Sequence, residues 1–164
     1  MMSVPAVLGW AASAPAPAAP YLMPDESLVD IWRERLNQWR GFRIAIVWQG
    51  NPKHADDRLR SFGLADLRPL STLGEVRFFS LQKGAGAEQI DQVRGQLEVI
   101  DLGPDIDNGS DSFVESAAVL QSMDLLIFAD TAVAHLAGVL GVKVWLMLSE
   151  VPDWRWRLGV EDTP

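Results

Sequence analysis

The segment 130–138, Asp-Thr-Ala-Val-Ala-His-Leu-Ala-Gly, carries the strongest chemical signal in the sequence and follows a short apolar run. Its pattern predicts a buried strand that turns directly into a helix, with Thr131 as the N-cap residue. The first N–H groups of a helix have no intrahelical acceptor, and together with the helix dipole they bind anions. His135 lies four residues after Thr131, so both side chains share one helix face. We therefore expect the turn formed by Asp130, Thr131 and Ala132, together with His135, to provide a binding site for a diphosphate.

The same segment also has a structural interpretation. A strand-to-helix turn needs a capping residue whether or not it binds a ligand, and Thr131 alone serves that purpose equally well. The combination of Asp130, Thr131 and His135 at the edge of a sheet favours ligand binding over capping alone.

A cluster of cationic residues marks the polar loop 50–61. Three of the chain's 14 Lys and Arg residues and one of its 2 His residues fall within eight positions of this loop. The loop leaves the same edge of the expected sheet as the anion-binding helix start, so Lys53, Arg58 and Arg60 are candidates to neutralise the phosphates. The alternative is a solvated turn in which the two aspartates that precede Arg58 pair with the arginines.

The segment 80–86, Ser-Leu-Gln-Lys-Gly-Ala-Gly, follows another expected strand. Its Gly-x-Gly pair, with Asp101 at the end of the next strand, suggests the fingerprint of a dinucleotide-binding domain. The fingerprint is incomplete because Gln89 occupies the third glycine position, and a lone Gly-x-Gly is weak evidence. We expect Gln82 and Lys83 to contact the base or sugar of a ligand, which is favoured over NAD binding.

The elements that must position these segments alternate between helix and strand. An amphipathic pattern predicts a helix over 25–40. Short apolar runs predict strands over 43–48, 76–81, 97–102, 125–128 and 142–148, and the intervening segments predict helices over 64–73, 88–95, 112–122 and 131–140. This alternation predicts an α/β fold, a Rossmann-like doubly wound parallel sheet of strand order 3-2-1-4-5, whose ligands bind beyond the carboxyl ends of the strands.

The composition sets limits on function. The chain of 164 residues is the size of one domain, and its net charge of −8 argues against a general nucleic-acid binder. It has no cysteine and only 2 histidines without a metal-ligand motif, so neither a disulfide nor a metal site is expected. No apolar run approaches the ~20 residues that span a membrane. The prolines within 1–20 do not fit a signal peptide, so we expect a cytoplasmic protein.

Five strings of the sequence together resemble the C-terminal domain of bacterial TPR-containing glycosyltransferases, a group similar to heptosyltransferases and to O-linked GlcNAc transferases. They are Val-Trp-Gln-Gly-Asn-Pro-Lys-His at 47–54, Asp-Arg-Leu-Arg-Ser at 57–61, Phe-Ser-Leu-Gln-Lys-Gly at 79–84, Asp-Thr-Ala-Val-Ala-His-Leu-Ala-Gly at 130–138 and Pro-Asp-Trp-Arg-Trp at 152–156. The resemblance implies a GT-B architecture, in which two Rossmann-like halves enclose the active site. It also implies that this chain is the half that binds the nucleotide-sugar donor, without a metal or another cofactor.

The resemblance implies individual donor-binding residues as well. The turn at Asp130 and Thr131, with His135, corresponds by position to the D-[ST]-G-x-x-H motif of heptosyltransferases, although Ala132 stands where those enzymes have glycine. Asn51 and the cations of the polar loop match the first donor-side loop. In the family the other half mostly holds the acceptor and usually provides the catalytic base, so no catalytic residue is expected in this chain.

The resemblance divides the chain into three parts. Residues 1–24 are expected to form an extended arm, the remnant of a missing N-terminal half. Residues 25–41 form a linker helix, and residues 42–164 form the nucleotide-sugar-binding domain, truncated at its C-terminus. Expected partners are a nucleotide sugar, the missing half and a second copy that covers the exposed cleft surface. Two alternative functions stay open: a non-catalytic binding or structural remnant that keeps the fold, and an NAD-dependent oxidoreductase domain.

Overall fold

The computed structural model of the chain describes residues 20–55, 57–109, 111–150, 152 and 156. Most of the predicted arm, 1–19, therefore lies outside the described residues, as does most of the chain after 150. The described end of that arm, 20–24, contains no helix or strand. It contacts the rest of the fold through the backbone N–H of Tyr21, which donates to the carbonyl of Val139 at 3.1 Å.

The centre of the fold is a five-stranded sheet in which every neighbouring pair of strands is parallel. The strand order is β3-β2-β1-β4-β5, which confirms the predicted Rossmann-like α/β fold and its 3-2-1-4-5 order. The strands are β1 (Phe42–Val47), β2 (Val76–Ser80), β3 (Val99–Asp101), β4 (Leu125–Ala129) and β5 (Val144–Met147). Only β3 and β5, the strands at the two edges, are clearly shorter than the apolar runs that predicted them.

Helices connect the strands, in the predicted order. They are α1 (Glu26–Leu36), α2 (Asp57–Arg60), α3 (Gln89–Val93), α4 (Val114–Leu120) and α5 (Ala132–Val139), with 3-10 helices at Leu64–Thr72 and Gly103–Asp105. The prediction of an α-helix over 64–73 differs from the structure, because Pro69 lies inside that segment and has no N–H for the α-helical hydrogen-bond pattern. The short helix α2 interrupts the polar loop and was not predicted.

Apolar side chains pack on both faces of the sheet, because successive residues of a strand point to opposite faces. Ala45 and Val47 of β1 pack in the core beneath α1, α4 and α5. Ile44 and Ile46 of the same strand pack in a second core, which includes Leu64 of the long 3-10 helix and residues around α3. A strand that is covered on both faces needs the continuous apolar composition seen in the sequence.

The register of the three central strands places their carboxyl ends at one edge of the sheet. Ile46 of β1 pairs with Ser80 of β2, and Val47 of β1 pairs with Phe128 of β4. The loops that follow these strands therefore leave the sheet side by side. In the part of the chain that the structure describes, no helix is both long and apolar enough to cross a membrane.

The central strand β4 provides a test of this two-sided core. Leu126 is fully buried, and its replacement in Leu126→Ala leaves a cavity beneath the helices. We expect this variant to lower the free energy of unfolding by about 2–5 kcal/mol. Chemical denaturation followed by circular dichroism measures the loss.

The matched control is Leu73→Ala, because Leu73 is exposed at the end of the long 3-10 helix. This change should alter the free energy of unfolding by less than about 0.5 kcal/mol. Equal losses in the two leucine variants would contradict the assignment of β4 to the core.

Candidate functional site

A cleft of about 410 Å³ lies at the edge of the sheet where the central strands end. Four segments line it: the loop after β1, the loop after β2, the connection from β3 into α4, and the start of α5. The lining residues include 49–52, 81–83, Ala85, Asp107, Phe113, Ser116 and 131–133. This is the position at which parallel α/β sheets bind their ligands.

The structure brings half of the predicted donor-binding residues to this cleft. The lining residues among them are Asn51, Gln82, Lys83, Thr131 and Ala132. The other predicted residues are not among the lining side chains of the described chain; they are Lys53, Arg58, Arg60, Asp130 and His135. The helix start and the loop after β1 thus share one cleft, whereas Lys53, Arg58 and Arg60 are not among the residues that line it.

Thr131 occupies the N-cap position of α5, as predicted, and its backbone is extended. Its side chain, however, does not cap the helix. It makes no capping hydrogen bond within the described residues. Its Oγ1 atom is buried and has no hydrogen-bond partner in that part of the chain. The backbone N–H groups of Ala132 and Val133 lie in the first turn, where a helix offers no acceptor of its own. These donors line the cleft and can bind an anion.

His135 lies one turn further along α5, on the helix face that it shares with Thr131. The side chain is partly exposed and is not part of either apolar core. The structure leaves the predicted role of His135 as a prediction.

Gln82 connects the two loops on the other side of the cleft. The residue is only 3% exposed. Its Oε1 accepts hydrogen bonds from the backbone N–H groups of Trp48 at 3.2 Å and Gln49 at 3.1 Å. Its Nε2 donates to the carbonyl oxygens of Gln49 at 3.0 Å and Ala85 at 2.8 Å. These four bonds use the full hydrogen-bonding capacity of a carboxamide. Gln82 therefore holds the two loops together and has no donor or acceptor left for a ligand.

The glycine that suggested a dinucleotide fingerprint has a packing role. Gly86 has φ of +90°, and a Cβ atom there would lie 2.6 Å from Oε1 of Gln49. The indole N–H of Trp48 donates to the Gly86 carbonyl at 3.1 Å. The close approach of the loops after β1 and β2 therefore explains this glycine without a bound pyrophosphate. That explanation weakens the case for an NAD-binding domain.

The polar loop 50–61 combines features of the two predicted arrangements, cations available to a phosphate and arginines paired with aspartates. Asp57 is only 4% exposed, and its Oδ1 lies 3.6 Å from Nε of Arg60. This ion pair is the structural alternative, and it partly neutralises Arg60. A Cβ atom on Gly50 would lie 3.0 Å from Nη2 of Arg60, so the guanidinium group packs against a residue that lines the cleft. Arg58 and Lys53 are exposed.

Lys83 holds the connection from β3 into α4. Its Nζ donates to the carbonyl oxygens of Ile106 and Asp107, the latter at 3.0 Å. It also donates to Oδ1 of Asn108 at 3.1 Å. The ammonium group thus has three acceptors from one segment of protein. It orders the connection from β3 into α4, which forms one wall of the cleft.

Sequence reasoning did not predict the wall that the connection from β3 into α4 forms. The loop after β3 was expected at the correct edge of the sheet, but none of its residues was selected, although Asp107, Phe113 and Ser116 line the cleft. No composition signal marks them, because they are separated in sequence and meet only through the fold. Within the described ranges, no group of three or more His, Asp or Glu side chains could hold a metal ion.

Replacement of Gln82 tests the connection between the loops. In Gln82→Leu the buried N–H groups of Trp48 and Gln49 lose their acceptor, so we expect the free energy of unfolding to fall by about 1–3 kcal/mol. Denaturation in urea measures this change. In the control, Gln92→Leu, an exposed glutamine of α3 is replaced, and the change should stay within about 0.5 kcal/mol. Similar values for both variants would contradict the proposed role.

No protein-family model matches the chain. The chain is 30% identical over 153 residues to protein FlbA of Caulobacter vibrioides, an alignment that covers 88% of this chain and 24% of FlbA. The chain therefore spans about a quarter of the length of this curated relative.

Among solved structures, the fold is similar to that of ADP-heptose lipopolysaccharide heptosyltransferase II from E. coli. The TM-score is 0.54 at 12% identity, covering 81% of this chain and 41% of the heptosyltransferase. The E. coli heptosyltransferase WaaC, solved with ADP-2-deoxy-2-fluoro heptose, has a TM-score of 0.47 at 14% identity, covering 77% of this chain and 38% of WaaC. The likeness to heptosyltransferase II shows that the chain shares the Rossmann-like fold of part of that protein.

Proposed function

We propose that the chain is the nucleotide-sugar donor-binding half of a GT-B glycosyltransferase. The observation that carries the proposal is the shared cleft. The start of α5, with the buried and unpartnered hydroxyl of Thr131 among the described residues, lines the same space as the loop after β1. A group of unused hydrogen-bond donors at the edge of a parallel sheet suits a diphosphate better than a neutral ligand.

The chemistry of donor cleavage is consistent with this arrangement. A leaving nucleoside diphosphate develops negative charge, and preorganised backbone N–H groups can stabilise that charge. The N–H groups of Ala132 and Val133 and the hydroxyl of Thr131 would bind its phosphate oxygens. The exposed cations Lys53 and Arg58 would add a positive field at the opening of the cleft. A site of this kind needs no metal ion.

The proposal assigns only part of a transferase to this chain. The aligned region amounts to 41% of the heptosyltransferase. We propose that a second Rossmann-like half binds the acceptor and provides the catalytic base, and that this chain alone does not transfer sugar. The similarity to TPR-containing and O-linked GlcNAc transferases rests on the sequence motifs. A homodimer through the cleft surface and a cytoplasmic location stay predictions.

The first test uses Thr131→Val, which replaces a hydroxyl by a methyl group of similar size. We expect the unchanged chain to bind ADP, UDP or GDP in isothermal titration calorimetry. The valine variant should bind the same nucleotide about tenfold more weakly, because a hydrogen bond to a charged phosphate is lost. Its thermal stability should stay the same or rise, since the hydroxyl makes no bond within the described fold.

Thr72→Val is the matched control for this test. Thr72 is exposed at the end of the long 3-10 helix, and its hydroxyl donates to the Pro69 carbonyl. This variant should bind nucleotide as the unchanged chain does. Absence of binding to all three nucleoside diphosphates by the unchanged chain would refute the proposed function.

His135→Ala tests the second residue of the helix face. We expect weaker binding of ADP or UDP, because an imidazole one turn from the helix start can donate to a phosphate oxygen. The measurement is again calorimetric, at a pH where the variant and the unchanged chain have the same thermal stability. Unchanged affinity would remove His135 from the site and leave the Thr131 turn as the binding element.

A further inference from the structure

Phe113 has an unusual position in the wall of the cleft. It precedes α4 as the N-cap residue, with φ of 69° and ψ of 0°. This left-handed conformation is unfavourable for residues other than glycine, asparagine and aspartate, and it is rare for a bulky aromatic residue. The side chain is also 43% exposed. Neither backbone preference nor burial in a core explains an aromatic residue here.

Capping of α4 does not explain it either, because Asp107 performs that function from across the loop. Oδ1 of Asp107 accepts hydrogen bonds from the backbone N–H groups of Glu115 at 3.0 Å and Ser116 at 3.2 Å. Its Oδ2 accepts a bond from the Ser116 hydroxyl. The Glu115 carboxylate in turn accepts from the backbone N–H of Asp107 at 2.6 Å. The residue at position 113 is therefore released from the usual requirement for a capping side chain.

The surrounding contacts keep Phe113 in place. Asp107 itself has φ of 47°, and Lys83 binds its carbonyl oxygen and that of Ile106. The Lys83 ammonium group thus holds the loop before Phe113, and the Asp107 cap holds the helix start after it. Strained residues that are fixed in this way tend to occur at ligand sites.

Phe113 lines the same cleft as Thr131, Ala132 and Val133. The cleft therefore offers hydrogen-bond donors for an anion from one wall and an exposed aromatic ring from another. We propose that Phe113 stacks on the base of the bound nucleotide and contributes to affinity without selecting one base, since every base has a π-face. This inference rests on the proposed function and assigns one of its contacts.

The test compares Phe113→Asn with Phe113→Tyr. Asparagine tolerates the left-handed conformation, so Phe113→Asn should keep or raise the thermal stability. The same variant should bind ADP or UDP about tenfold more weakly, because the stacking contact is lost. Phe113→Tyr keeps an aromatic ring and should bind within about twofold of the unchanged chain. A loss of affinity without a loss of stability distinguishes stacking from a structural role.

Inorganic pyrophosphate separates the two parts of the ligand. The unchanged chain should bind ADP or UDP more tightly than pyrophosphate, and Phe113→Asn should leave the affinity for pyrophosphate unaltered. Equal affinities of the unchanged chain for nucleotide and pyrophosphate would overturn the stacking contact while the diphosphate site stands. An equal loss for both ligands in Phe113→Asn would also overturn it. No binding of either ligand by the unchanged chain would overturn the proposed function as well.

Discussion

The parallel pairing of β1 with β2 and β4 is the constraint on which the rest of the structure depends. The register aligns the carboxyl ends of these strands, and in a parallel sheet every strand ends at the same edge. Three connections must therefore leave the sheet side by side. Continuous apolar strands require cover on both faces, so the helices occupy the faces and only the edge stays open for a ligand.

Polar side chains then determine the form of the loops. The Gln82 carboxamide joins the loops after β1 and β2, and the Ser61 hydroxyl links the Gly50 N–H to Asp57. Lys83 and Asp107 order the connection from β3 into α4. Each of these side chains satisfies backbone groups that a loop would otherwise leave to water. These bonds join the loops after β1 and β2 and the connection from β3 into α4, and so they preform three of the four segments that line the cleft.

The candidate site relies on oriented donors more than on formal charge. The chain carries a net charge of −8, and the Arg60 cation lies next to the buried Asp57 carboxylate. A helix start contributes partial positive charge without adding a cation, and it acts over a short range. The buried Thr131 hydroxyl has no partner in the described chain, and Phe113 has a left-handed backbone; both features are locally unfavourable. Both line the cleft.

The sequence by itself determined the fold class, the strand order and the edge at which the loops meet, because apolar periodicity and turn residues are local signals. It also identified Thr131 at the start of α5. Only the tertiary structure decided what the side chains do there. The Gln82 bonds to Trp48 and Gln49 join residues more than thirty positions apart, and Asp107 caps a helix whose own N-cap is Phe113. Such partners depend on how loops approach one another in space, and local sequence patterns carry no information about that approach.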